Sequence, residues 1–571
     1  MGKRNNLGRR KFLKGSLLGL GLSALEFESI LNVISKGIIS DLMASERGDN
    51  NLNYVGIQMH GGPQRWIWDL PLHVLEGNNN LSYNPCVITK FNPNGQGVND
   101  LGTYDCVDIG GIKLPSMWSS SVHTIGGQTP MAELTNNSLF IRGVVYPNGA
   151  HEGRWHSVIP FFGAPGIHTF PQGQAGNNRP VDCVQMALNP AACYPYKPKK
   201  NGSSVNLKFI PEENPVEKLL SPFKFARDTL HSPDQFNNNL PRGFGAGGEN
   251  LMRQKIDEAL DRLEIVAKKI NQSSEKLFID HRRAKQQFSI AMDAFIQEYN
   301  RRYENYRTVI SANINSSTIN GVEGVHTARG GDLAPLYRYN KNDSIPVGHS
   351  LDELFINNAS IDSMAGSMAL IEVLLENRLT SSIVMGISSM EGMLIPDVGR
   401  RRLNNDSHFL GSALALVGFT KFYKCLSGCL LSLRAKLIGD NLWNKTILHI
   451  QGDFNRSPRT DGSGTDHGAA GSNTTIMSGL INGAKVIGGT YVNTPRDLYY
   501  DWGVAAPYNR GGFADEPFTN HHIESSFASV FNATSSVRVP TLFSLSNNQI
   551  NLNPDVINSA QNIPYPNDEE S

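Results

Sequence analysis

Four short apolar runs constrain this 571-residue chain more than any other feature. The first, Tyr54 to Met59, ends at His60-Gly61-Gly62-Pro63, which reads as a buried strand meeting a turn. Ser138 to Val145 (SLFIRGVV), Ser381 to Ile387 (SSIVMGI) and Thr446 to Gln451 (TILHIQ) repeat the pattern, bounded by turn residues. Helical spacing lies between the later runs, as in Ile361 to Leu379, with apolar residues at 361, 364, 368, 371, 374 and 375. Strands alternating with helices predict an α/β fold with a mostly parallel central sheet flanked by helices. Ligands of such sheets gather at the carboxyl ends of the strands, so the residues just past each run are the candidates for chemistry.

Two regions break this rhythm. Residues 251 to 310 place Ile256, Leu260, Leu263, Val266 and Ile270, then Ala284, Phe288, Ala291, Phe295, Tyr299 and Tyr306, at helical spacing. This predicts a long helical insertion over about 250–312, made of two helices broken near Asn271-Gln272-Ser273-Ser274, with solvated charged faces or an interaction surface. Residues 87 to 130 and 165 to 250 are rich in Gly, Pro and Asn and read as long loops over the sheet. The expected layout is a signal and linker over 1–50, one large domain over 51–547 and an extended tail over 548–571.

Charge excludes some partners. Lys and Arg number 52, as do Asp and Glu, so no net field draws the chain to nucleic acid or anionic lipid, and a small or neutral partner is expected. The six cysteines are too few and scattered for a disulfide scaffold, although an oxidising compartment would permit Cys183-Cys193 or Cys86-Cys106 bridges. Cys425 and Cys429, four apart in a helical stretch, read as packing residues.

The amino-terminal run Arg9-Arg10-Lys11-Phe12-Leu13-Lys14 matches the twin-arginine export pattern RRxFLK. The apolar stretch Gly15 to Leu25 is too short for a permanent span, which needs roughly twenty residues, and fits a signal instead. The expectation is export through the twin-arginine translocase to the periplasm or cell envelope. Beyond an uncleaved signal, no integral membrane domain is expected. Cleavage stays open, with Ala24 and Ala44 both tolerable as the last residue removed.

The densest chemistry lies after the fourth run. Gly452-Asp453-Phe454-Asn455-Arg456-Ser457-Pro458-Arg459 is followed by Gly462-Ser463-Gly464-Thr465-Asp466-His467-Gly468. A strand delivers Asp453 to its end, two arginines follow, and a glycine-rich loop presents an Asp-His pair. Carboxylate with imidazole suits a divalent ion, and neighbouring arginines suit a phosphate or sulfate. The same residues also have a structural reading, with Asp453 as a cap and both arginines in surface ion pairs. His151, Glu152, Arg154 and His156 form a second polar cluster.

These motifs resemble those of the domain-of-unknown-function 1501 family, exported bacterial proteins marked by SEFGRTPR and then GsGG-x-DH. His60-Gly61-Gly62-Pro63 resembles the family's first-strand GGP motif, with Trp68-Asp69 where it has an aromatic-aspartate pair. Pro130 to Val144 and His151 resemble its next block, Asp406-Ser407-His408-Phe409 its D-T-H segment, and Gly479 to Gly489 its later glycine-rich strand. The resemblance covers most of residues 54 to 530. It implies an alkaline-phosphatase-like fold and, by the superfamily pattern, metal ligands at Asp453, Asp466, His467, Asp406 and His408, holding zinc, manganese, magnesium or calcium. Arg456 and Arg459 become the anion-binding residues, and His521-His522 stands where the superfamily's last His falls.

The chain departs from that pattern at two points. His60 and Gly61 stand where a metallohydrolase has an aspartate, with Asp69 as the candidate substitute. No nucleophile is recognisable; Ser157, His151 and His156 are the weak catalytic candidates. The expected function is metal-dependent hydrolysis of a small anionic phosphate or sulfate ester. The alternative is a non-catalytic cell-envelope binding protein that keeps the fold.

Overall fold

The computed structural model describes residues 51–59, 62–70, 106–145, 167–174, 183–187, 204–208, 296–314, 361–387, 389–394, 402–404, 412–452, 456–458, 465–467, 472–496, 499–510, 512–535 and 537–557. The chain divides into two compact units, Asp49–Glu212 with Arg302–Ser571, and Met1–Gly48 with Glu213–Arg301. Of the second, only 296–301 is described, a helical segment in which Arg301 pairs with Glu298. Most of the predicted insertion therefore lies outside the described residues, as do the signal and most of the expected long loops.

The first unit is built on a nine-stranded sheet. In chain order its strands are β1 (Asn53–Met59), β2 (Ser138–Val145), β3 (Cys183–Ala187), β4 (Ser204–Lys208), β5 (Ser382–Ile387) and β6 (Thr446–Gly452). A two-stranded ladder, β7 (Arg456–Pro458) and β8 (Thr465–His467), follows; then come the sheet strands β9 (Ser472–Met477), β10 (Lys485–Gly488) and β11 (Phe518–Thr519). The order across the sheet is β10-β2-β9-β6-β1-β5-β3-β4, with β11 also on β2. Every described pairing in this sheet is parallel except the two that β9 makes, with β6 and with β2. The mixed α/β class and the mostly parallel sheet thus follow the sequence reading, and all four apolar runs are sheet strands.

The runs are apolar because both faces of the sheet are covered: every residue of β1 and of β6 is buried. Their polar residues satisfy one another side by side. Gln451 Nε2 donates to Gln58 Oε1 at 2.6 Å, across a pair in register. Tyr54 Oη lies 2.9 Å from His449 Nδ1, and its ring folds back over Gly56, where a Cβ would stand 2.9 Å from that hydroxyl. Gly56 is therefore the space that the Tyr54 ring needs.

Among the described residues the helices are the short α1 (Arg65–Trp68), α2 (296–314), α3 (Ile361–Glu376), α4 (Ser412–Gly439) and α5 (Asn520–Val530). Helix α3 is buried on all sides from Met364 to Leu375, and its Glu372 is offset by Tyr306 Oη at 2.7 Å and Arg302 Nε at 3.2 Å. Glu376 carries the pairing on to Lys436 of α4 at 3.0 Å. Cys425 and Cys429 are free and buried in α4, as packing residues should be, and burial pushes the Cys425 thiol up to about 12. Cys183 is buried beside Ser382, whose Oγ lies 3.6 Å from its sulfur. Among the described residues no helix is long and apolar enough to cross a membrane.

The expected extended tail is instead folded over its first part. Strands β12 (Phe543–Ser546) and β13 (Gln549–Leu552) form a hairpin whose turn, Asn547-Asn548, has φ of 52° and 55°. Asparagine tolerates this left-handed geometry, and two such residues in sequence make a tight hairpin turn. Ile550 N donates to Leu480 O at 2.8 Å, and Val556 is fully buried. Residues 558–571 lie outside the described residues.

One buried cluster joins α1 to the sheet. Arg65 Nε donates to Asp69 Oδ1 at 2.9 Å, and its Nη2 pairs with Oδ2. Thr475 of β9 donates to Asp69 Oδ2 at 2.7 Å, and Arg142 of β2 donates to the Asp69 carbonyl at 3.2 Å. Removing one partner of a buried ion pair strands the other charge, so Asp69→Ala is expected to cost about 3–5 kcal/mol in urea unfolding. Thr475→Val, which removes a neutral donor, should cost about 1–3 kcal/mol.

Candidate functional site

Strands β1 and β6 are parallel neighbours in register, so Met59 and Gly452 end side by side. Beyond β1 the chain turns through Gly62, with φ of 66°, a conformation glycine adopts without strain. Pro63 then lies against the end of β6: a Cβ on Gly452 would stand 3.1 Å from Pro63 Cδ. The small residue at this point lets Pro63 rest on the end of β6.

A side chain fastens the contact. Arg456, at the start of β7, is fully buried, and its Nε donates to the Gly62 carbonyl at 2.9 Å. The β7–β8 ladder sets Arg456 opposite His467, Ser457 opposite Asp466 and Pro458 opposite Thr465. The glycine-rich turn after β1 and the Asp-His segment after β6, nearly four hundred residues apart, are therefore joined through Arg456 at the carboxyl edge of the parallel sheet. This is the edge at which open α/β sheets bind ligands.

The expected site residues fall as follows. Arg456 is described in full, and Asp466 and His467 as backbone in β8. Asp453 comes directly after the last residue of β6, but it, Asp406, His408, Arg459, Ser157, His151 and His156 lie outside the described residues. Among the described residues no group of three or more His, Cys, Asp or Glu gathers to hold a metal ion, and none of the five expected ligand side chains belongs to that set.

Arg456, expected to bind an anion, is buried, with its Nε on a main-chain carbonyl. Two expectations change. Asp69, the candidate replacement for the missing first-strand acid, has both oxygens committed to Arg65 and Thr475 and is fully buried. It neutralises Arg65 instead of reaching a ligand. His522 closes the start of α5: the Thr519 amide donates to its Nδ1 at 3.0 Å, and Phe513 packs against its ring. Burial, with the neighbouring His521, pulls the His522 imidazole down to about 4.

The role of His449 was not read from the sequence, where it sits unremarked in an apolar run. It lies on β6, three residues before the strand's end, with Nδ1 on Tyr54 Oη and Nε2 at 2.8 Å from Thr474 Oγ1. Thr474 donates its own proton to the Ile450 carbonyl at 3.1 Å, so its oxygen accepts from His449. The imidazole is therefore the neutral Nε2–H form, with Nδ1 accepting from Tyr54. Burial foremost, then the Arg65 guanidinium, pulls His449 down to about 3.

Compared with known proteins, the chain matches no family model, no curated protein and no solved structure.

The depressed imidazoles set a pH dependence. His449, and His168 at about 4, stay neutral in the folded chain where the unfolded chain, near 6.5, takes up protons. Stability is full above about pH 6.5 and is lost as pH falls towards 4 and 3, by up to about 1.4 kcal/mol per pH unit for each group. Urea unfolding at pH 7 and pH 5 should show this loss, and His449→Gln, though less stable at pH 7, should show a smaller one.

Proposed function

We propose that the chain is an exported alkaline-phosphatase-like protein that hydrolyses phosphate or sulfate esters with a divalent metal, at the carboxyl edge where the β1 and β6 loops meet. The observation that carries this reading is the junction of Gly62 and Pro63 with Gly452 and Arg456, because it sets the segment that leads to Asp466 and His467 against the end of the central strands. Asp453, the first residue past β6, would hold the ion together with Asp466, His467, Asp406 and His408. When bound, such an ion polarises an ester oxygen and stabilises the leaving group. Arg459 would meet the ester anion, and Arg456, with its Nε on Gly62, stands on the same segment. The twin-arginine run supports export to the periplasm or cell envelope.

One observation favours the non-catalytic reading. No acid follows β1 directly, and Asp69 is sequestered by Arg65 and Thr475. A site short of one carboxylate can bind without turning over.

Elemental analysis of protein purified from the periplasm separates these readings. Stoichiometric zinc, manganese, magnesium or calcium is expected, with its loss in Asp466→Ala, and hydrolysis of p-nitrophenyl phosphate or sulfate by the parent. Metal without turnover selects the binding protein. A parent that carries no metal, even after incubation with these ions, overturns the metallohydrolase.

A further inference from the structure

We propose that Arg456 is a positioning residue, a strap that couples the turn after β1 to the β7–β8 ladder and so fixes the backbone that carries Asp466 and His467. The proposal rests on the reading of those two residues as metal ligands. Its geometry stands without that reading.

A guanidinium enclosed in protein is costly unless its donors are used, and here the Nε is used on the carbonyl of Gly62, a residue 394 positions away. The acceptor belongs to a turn held on two further sides. Pro63 rests against the end of β6 at Gly452, and Trp66 donates to the Gln64 side chain within the same buried segment. The donor lies on a three-residue strand, too short to hold its own register firmly, whose partner strand is Thr465–His467. Arg456 pairs with His467 itself, so any displacement of Arg456 is passed directly to the Asp-His segment. The strap thus ties a three-residue ladder to the segment that rests on the end of β6, a strand buried along its whole length. This is the arrangement expected of an outer residue that holds ligands in place without touching the ion.

The test is backbone hydrogen exchange on the full-length protein, with a zinc titration alongside. In Arg456→Met, amides of 62–70 and 465–467 should exchange at least about tenfold faster, while those of β2 and β10 keep their rates. Zinc affinity should fall by roughly 10- to 100-fold. Arg456→Lys, which keeps the charge but puts a methylene where the Nε stands, should restore neither fully. A folded Arg456→Met with unchanged exchange in both segments, or with exchange raised equally across the sheet, overturns the strap. Should that variant not fold, the parent decides: under the strap, 62–70 and 465–467 open together with one urea dependence, and separate dependences reject it. If the parent binds no zinc or other divalent ion, the proposed function fails while the exchange result still decides the strap. If zinc binds and Arg456→Met leaves its affinity unchanged, the strap's effect on the site fails and the proposed function survives.

Discussion

Arg65 and Asp69 meet with almost no exposed surface, one turn apart on the short helix that follows the central strand. Two charges in that position are tolerable only as a bonded pair, and everything around them keeps them so. Thr475 donates to the carboxylate and accepts from Trp68 Nε1 at 3.2 Å. Trp118 donates to the Trp68 carbonyl, while Tyr423 of α4 stacks on the Trp68 ring at 5.0 Å. Through these contacts the pair fastens α1 to β9 and α4 around one point. Its neighbour Arg142 reaches both Asp69 O and Lys113 O, so even the hairpin of Cys106–Ile109 and Ile112–Pro115 is tied in.

That cluster explains why the turn after β1 can serve as a fixed wall. Gly62 and Pro63 lead into the buried helix of Arg65, and Pro63 rests against Gly452 at the end of β6. Arg456 then uses the Gly62 carbonyl as an anchor. The sheet's central strands supply rigidity through buried side-by-side pairs, Gln58 with Gln451 and Tyr54 with His449. The strand ends inherit that rigidity, which is what a site at the carboxyl edge requires.

Much of the sheet was legible because burial on both faces leaves a mark that a sequence shows directly. A central parallel strand must be apolar over its length and must end in residues that turn, and Tyr54–Met59 and Thr446–Gln451 do both. The folded hairpin at 543–552 was not legible, since Asn547-Asn548 marks a turn only when a second strand is known to return. Strand β9 was also missed: Ser472–Met477 is mostly polar yet wholly buried, its threonines bonded to Asp69, His449 and Ile450 across the sheet.

By itself, the sequence determined the alternation of strand and helix, the location of ligand-type residues past strand ends, and the packing role of Cys425 and Cys429. These follow from periodicity and residue chemistry, which are local. Only the tertiary structure decided what each polar residue is for. Asp69 and Arg456 are, in sequence, an acid and a base near glycine turns, equally suited to a ligand. Asp69 is committed by Arg65 and by Thr475, more than four hundred residues away, and the Nε of Arg456 by the carbonyl of Gly62. A side chain's role depends on which partner satisfies it when water is excluded, and that partner is chosen by the fold.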